Sequence, residues 1–271
     1  MASSSRFGLI AGNGRFPFLV LEAARTQGIE MVVAAIKEET FPEIEQHAKS
    51  VHWMSLGQLG KLIKTFKSEG VNHAIMAGQV KHKQIFSSII PDLKMIQLLA
   101  SLATKNTDSL IGAVAKMLES EGIHLMDSTL FLRPLLPDPG VLTRRAPSEE
   151  EKRDLDYGYK IARELGRLDL GQSVAVADGA CIALEAMEGT DAVIERAASL
   201  LNGRMLRVVK LAKPNQDLRF DVPVIGLSTV KLMVRLKVSA LAIEARKTLM
   251  IDREDLVREA DAAGIAIVAV E

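Results

Sequence analysis

The first half of this chain alternates short apolar runs with segments of helical period, and that alternation restricts the fold more than any other feature. Residues 7–11, 31–36, 73–77 and 123–126 read as strands. Residues 17–27, 55–69, 84–105 and 107–121 read as helices, the first with Pro17 in its opening turn. Apolar strands separated by helix-length segments call for a parallel sheet covered by its own crossovers. The expectation is a Rossmann-like parallel-sheet α/β domain over residues 1–135. From 127 to 147 the pattern lapses, and Pro134, Pro137, Pro139, Gly140 and Pro147 mark a boundary.

Residues 136–271 predict a second α/β domain, with a mixed sheet. Ser148 followed by Glu151 is a capping-box pattern opening a helix over 148–165. Asp178-Gly179 between the apolar runs 173–177 and 180–185 is a hairpin turn signal. Helices over 191–201, 228–236 and 253–263, and strands over 205–209, 240–244, 248–251 and 265–270, complete this half.

Composition removes several classes of function. Lys plus Arg equals Asp plus Glu at 34 each, so no global field draws the chain to nucleic acid or to an anionic bilayer. Aromatic residues are few and do not cluster with basic ones, which also argues against nucleic acid. The single cysteine, Cys181, forbids an internal disulfide, fits the cytosol and reads as a core thiol. The five histidines show no ligand spacing for zinc. No apolar run reaches the roughly 18 residues of a membrane span, and the N-terminus enters a strand without a signal-peptide pattern. The apolar stretch over 85–102 is wider than one helical stripe needs. It reads as core, or as a surface for acyl chains or a bilayer.

Candidate functional residues gather in four places. Gly12-Asn13-Gly14 after the first strand is a tight turn of the kind that lets a backbone approach a phosphate. It lacks the third glycine of a dinucleotide fingerprint, since Pro17 and Phe18 fall there. Gly78-Gln79-Val80-Lys81 stands at the end of the 73–77 strand, where ligands of open α/β sheets gather. Thr190 and Asp191 open a helix and can cap it. The loop 210–226 packs Lys210, Lys213, Asp217, Arg219 and Asp221 between Pro214, Pro223 and Gly226. Cations to grip phosphate and carboxylates to hold a metal or water suit a phosphate-cleaving site.

These segments resemble the UDP-2,3-diacylglucosamine pyrophosphatase family of lipid A biosynthesis, the type distinct from the metallophosphoesterase version. The resemblance rests on the motif from Gly8 to Gly14, on Gly78 to Lys81, on Asp178-Gly179 followed by Glu185 and Glu188 to Asp191, and above all on Lys213 to Asp217 with Arg219 to Gly226. It implies two α/β domains with the active site in the cleft between them. It also implies magnesium-dependent hydrolysis to UMP and 2,3-diacylglucosamine 1-phosphate, by water attack on the UMP-side phosphorus.

The roles that follow are Asp221 as catalytic residue with Asp217 in support, both as ligands of Mg²⁺ or another divalent cation. Lys213 and Arg219 are expected at phosphate oxygens, and Thr190 and Asp191 at sugar or phosphate oxygens. Gly12, Asn13, Gly14 and Gln79 are expected at the nucleotide, with Val80, Lys81 and Gln216 in the same substrate-binding motifs. The implied partner is a nucleotide-linked glycolipid, met in the cytoplasm with peripheral contact at the inner membrane; a homodimer is compatible with this. The competing readings are an NAD-linked oxidoreductase and a nonenzymatic nucleotide-binding regulator.

Overall fold

The computed structural model describes residues 6–80, 90–102, 107–201 and 203–271, with only the backbone of 107 and 108. They form two compact units: Met1–Leu132 with Leu218–Phe220, and Arg133–Asp217 with Asp221–Glu271. No described helix is long and apolar enough to cross a membrane.

The first unit is built on a five-stranded sheet of β1 (Phe7–Ala11), β2 (Met31–Ile36), β3 (Ser50–Met54), β4 (His73–Ala77) and β5 (His124–Leu125). Their order is β3-β2-β1-β4-β5, and every pairing is parallel. This is the doubly wound order, which reverses between β1 and β4 and opens a crevice at their carboxyl ends. All six residues of β2 are buried, as a central strand covered on both faces requires. Its neighbour β3 is missing from the sequence reading for a physical reason. As an edge strand it carries Ser50 and His52 and buries only Met54, so no continuous apolar run announces it.

Among the described residues four helices accompany this sheet: α1 (Phe16–Thr26), α2 (Leu59–Ser68), α3 (Leu93–Ser101) and α4 (Thr107–Ser120). Leu62, Ile63 and Phe66 of α2, Met95 and Leu98 of α3, and Ala115 and Leu118 of α4 share one core with Val32, Ala34 and Ala74 of the sheet. The helix expected over 55–69 begins only at Leu59, because Gln58 folds back and accepts the amide of Ser55 at 3.0 Å. One carboxylate then serves two helices. Asp92 Oδ1 accepts the amide of Met95 in α3, and Oδ2 accepts the amide of Gly60 in α2. Of the helix expected over 84–105, residues 84–89 and 103–105 lie outside the described residues.

The second unit carries a six-stranded mixed sheet of order β6-β13-β11-β9-β7-β8. Its strands are β6 (Gly140–Val141), β7 (Ser173–Ala177), β8 (Ala180–Leu184), β9 (Leu206–Lys210), β11 (Val238–Glu244) and β13 (Ala266–Val270). Strands β9, β11 and β13 run parallel, while β6, β7 and β8 join antiparallel. Two further short strands, β10 (Val224–Ile225) and β12 (Leu249–Met250), pair in parallel apart from this sheet. Strands β6 and β10 are two residues each, too short for a period to register in the sequence.

Alternation along the strands sends Val174, Val176, Val209 and Ala242 to α5 (Glu149–Arg167). It sends Ala175, Ala177, Val208 and Ile243 to the face of α6 (Thr190–Leu200), α7 (Leu227–Arg235) and α8 (Arg253–Ala262). Gly158 brings α5 close to the sheet, since a Cβ there would meet Val209 Cγ2 at 2.8 Å. The expected hairpin is present with Asp178 at φ 51°, and buried Asp154 accepts the amides of Asp178 and Gly179.

The expected capping box is also present. Ser148 Oγ accepts the Glu151 amide at 3.2 Å, and the Glu151 carboxylate accepts the Ser148 amide at 2.8 Å. The same buried carboxylate takes both arms of Arg145, at 2.6 and 2.9 Å. Burial pushes the Glu151 pKa up, but Arg145 and the Ser148 amide outweigh it and hold the group at about 2. A carboxylate depressed from 4.5 stabilises the fold above its unfolded value and loses that contribution as pH falls toward about 2. The shift corresponds to roughly 3 kcal/mol. In thermal melts from pH 7 to pH 2, Glu151→Gln should lower stability at neutral pH and flatten the acid limb. An acid limb as steep as wild type would count against this role.

Candidate active site

The crevice at the sheet reversal of the first unit is closed by a backbone embrace. Asn13 N–H donates to Gln79 C=O at 2.8 Å and Gln79 N–H to Asn13 C=O at 3.1 Å, an isolated antiparallel bridge. Only glycine allows this approach: a Cβ on Gly78 (φ +94°) would meet Asn13 O at 2.6 Å, and one on Gly12 would meet Gln79 O at 2.7 Å. Gly14, at φ +90°, faces open space before α1. Gln79 is exposed and Val80 half-buried, while Lys81 lies outside the described residues.

At the end of β2, the buried Glu39 accepts Asn13 Nδ2 at 3.4 Å. This bond joins residues 26 apart and leaves no mark in the sequence, where Lys37-Glu38-Glu39 is a poor match to a ribose-binding acid. Gly78→Ala should cost about 1–3 kcal/mol of stability through strain and steric conflict. A variant as stable as wild type in thermal melts would contradict this close approach.

In the second unit, antiparallel pairing sets Ser173 of β7 opposite Lys210 at the end of β9. Helix α6 begins there. Thr190 Oγ1 lies 2.9 Å from Ser173 Oγ and accepts Lys210 Nζ at 2.9 Å. Capping therefore does not account for Thr190: the cap position belongs to Gly189, at φ 86° with no side-chain bond. Asp191, in the first turn of α6, accepts Thr229 Oγ1 of α7 at 2.8 Å. Burial of the Lys210 ammonium lowers its pKa, and the carboxylates of Glu185, Asp191 and Asp221 act in the opposite direction without reversing it. Thr190 thus touches the Lys210 ammonium, and the Asp191 and Asp221 carboxylates act on it through their fields. Lys210, one of the charges singled out in the 210–226 loop, stands opposite Ser173, which the sequence did not single out.

The loop after β9 sorts its charges among different tasks. Lys213 Nζ is bonded to Asp169 at 2.7 Å, and the Lys213 amide donates to Gln216 Oε1 at 2.7 Å. Asp221 N–H donates to Asp217 C=O at 2.9 Å, so both aspartates leave the neck of one turn. The residues inside that neck, Leu218–Phe220, belong to the first unit, and Phe220 packs on its core. Arg219 travels with them. Asp178-Gly179 lies beyond the far end of β7 from Ser173, about 17 Å away at strand rise, and is a structural hairpin.

The profile of the LpxI N-terminal domain matches residues 6–135, and that of the LpxI C-terminal domain matches residues 138–268. The chain belongs to the LpxI family. It is 31% identical over 276 residues to UDP-2,3-diacylglucosamine pyrophosphatase LpxI of Caulobacter vibrioides, covering 98% of each chain.

Solved structures are more distant. The biotin carboxylase domain of a thermophilic 2-oxoglutarate carboxylase is 11% identical, with a TM-score of 0.28 over 64% of this chain and 35% of that one. Phosphoribosylglycinamide synthetase from Anaerococcus prevotii is 12% identical, with a TM-score of 0.28 over 70% and 34%. Neither likeness carries weight at such scores. Within the LpxI pattern, the glycine loop falls in the N-terminal match and the Lys210 group in the C-terminal match. The 218–220 turn belongs to the C-terminal match by sequence but to the first unit by packing.

Proposed function

We propose that this LpxI-family chain hydrolyses the pyrophosphate bond of UDP-2,3-diacylglucosamine, giving UMP and 2,3-diacylglucosamine 1-phosphate in lipid A biosynthesis. The observation that carries this reading is end-to-end similarity to the Caulobacter pyrophosphatase, at 31% identity over 98% of both chains. The Lys210 ammonium, bonded to Thr190 within the fields of Asp191 and Asp221, supports it with chemistry suited to a phosphate.

The donor set fits a magnesium requirement. Among the described residues no cluster of three or more His, Cys, Asp or Glu forms a cage. Mg²⁺ does not need one, since it takes one or two carboxylates and fills its shell with water and substrate phosphate. Asp217 and Asp221 offer two carboxylates from one turn, and they are the residues that would hold it. Around Lys210 the carboxylates outnumber the ammonium, so an incoming diphosphate needs added positive charge. A bound divalent cation would supply charge neutralisation at the diphosphate oxygens.

The remaining work falls to the chain itself. Asp221 orients the attacking water and accepts its proton. Arg219 can bind two nonbridging oxygens with one guanidinium. Lys213 reaches phosphate by leaving Asp169, and an exposed ion pair of this kind is worth little to the fold. Thr190, Asp191 and Gln216 receive sugar and phosphate oxygens, while Gly12, Asn13, Gly14, Gln79, Val80 and Lys81 receive the nucleotide. Exposed Ile90, Leu93 and Ile96 at α3 support acyl-chain contact and peripheral attachment to the inner membrane.

The test is mass spectrometry of products from UDP-2,3-diacylglucosamine and from UDP-N-acetylglucosamine, with Mg²⁺ and with a chelator. UMP should form from the acylated substrate with Mg²⁺ and stop with the chelator, and the unacylated analogue should react poorly. Intact acylated substrate under every condition would refute the function. Full turnover with the chelator would refute the metal requirement.

A further inference from the structure

We infer that Ser128 is a positioning residue that anchors the Leu218–Phe220 turn and thereby fixes the aspartates at its neck. Ser128 is buried and touches the turn at two consecutive residues. Its backbone N–H donates to Leu218 C=O at 2.9 Å. Its Oγ stands 2.7 Å from Arg219 C=O and 2.6 Å from Met76 C=O, so one proton is shared between two carbonyls. Met76 belongs to β4, one residue short of the strand end that leads into Gly78 and Gln79. One hydroxyl therefore joins the strand behind the glycine loop to the turn that carries Arg219.

Phe220 adds an apolar hold on the same turn by packing on the core of the first unit. The neck is closed by the bond from Asp221 N–H to Asp217 C=O, which makes the Asp221 amide a reporter of whether the turn is held. Without the hydroxyl, the Met76 and Arg219 carbonyls lose this donor, and the hold on the turn is weakened to the Ser128 amide and the Phe220 packing. Displacement of a reacting group by about 1 Å costs on the order of a hundredfold in turnover, so loosening this turn is read in kcat. The effect on turnover rests on the hydrolase reading above; the anchoring itself does not.

Ser128→Ala and Phe220→Ala test the anchor, with Thr129→Val as control. Thr129 is equally buried, but its hydroxyl bonds only the neighbouring Asp127 carboxylate, at 2.6 Å. Its loss disturbs the same segment without touching the turn. In the full chain, amide exchange at Asp221 should rise about tenfold or more in both anchor variants and stay within about twofold in the control. With UDP-2,3-diacylglucosamine, kcat should fall about tenfold or more in the anchor variants alone, whatever melting temperature each variant loses.

Unchanged exchange in Ser128→Ala, or an equal rise in Thr129→Val, overturns the anchor. Faster exchange with wild-type kcat overturns the positioning role. If the wild-type chain leaves the lipid nucleotide intact, the hydrolase reading falls, and the exchange measurement alone decides the anchor.

Discussion

Asp221→Ala should reduce turnover of UDP-2,3-diacylglucosamine by ~10²–10⁴-fold, the range lost when a positioned general base is removed. The substitution leaves the backbone bond from Asp221 N–H to Asp217 C=O intact, so the turn keeps its shape. It removes one of the three carboxylates whose fields act on Lys210. Asp221 is half-buried in a loop rather than packed in the core, and the stability cost should stay within about 1 kcal/mol. The loss therefore belongs in kcat, with UMP affinity close to wild type by calorimetry. A purified, folded variant that retains near-normal turnover would remove Asp221 from the chemistry.

Lys210→Met should be as stable as the wild type at neutral pH, or more so, and nearly inactive. The direction of the lysine shift carries this prediction. Burial pulls the ammonium pKa below the ordinary 10.5, and the carboxylates of Glu185, Asp191 and Asp221 do not restore it. The folded chain thus holds this charge less favourably than the unfolded chain does. The sign follows from linkage: the unfolded state binds more protons between the lowered folded value and 10.5. The charge therefore destabilises the fold fully below that window, and the cost fades as pH rises through it.

A buried charge kept at a net cost marks a functional site more than a structural one. Methionine fills similar space, removes the cost and leaves Thr190 its contact with Ser173 at 2.9 Å. Activity should fall about a hundredfold or more, because carboxylates left without the ammonium repel a diphosphate and lose their orientation. Thermal melts across pH 6–10 beside steady-state kinetics would check both halves. A variant that is clearly less stable but normally active would contradict the account on both.

The sequence made the helices and the central strands legible because burial imposes a period on them. Met31–Ile36 and Ser173–Ala177 are buried throughout, and each was bounded correctly. The Ser148–Glu151 capping box and the Asp178-Gly179 turn were legible for a local reason, since neighbours in sequence make those bonds. Strand Ser50–Met54 was hidden because it lies at an edge, and Gly140–Val141 because two residues carry no period.

The candidate site divides along the same line. Gly12, Gly78, Thr190 and Asp221 were legible as punctuation and charge. Ser173, Glu39 and Ser128 were not. Each acts through a partner distant in sequence: Thr190, Asn13 and Arg219, respectively. Strand register and turn packing bring those pairs together, and no local motif records either.

The most direct measurement is phosphorus NMR of UDP-2,3-diacylglucosamine turned over in ¹⁸O-water. Hydrolysis with attack on the UMP-side phosphorus predicts UMP carrying the isotope-shifted phosphate signal and an unlabelled 2,3-diacylglucosamine 1-phosphate. Label in the sugar phosphate would contradict the direction of attack, and an intact diphosphate with no label in either product would contradict the hydrolase itself.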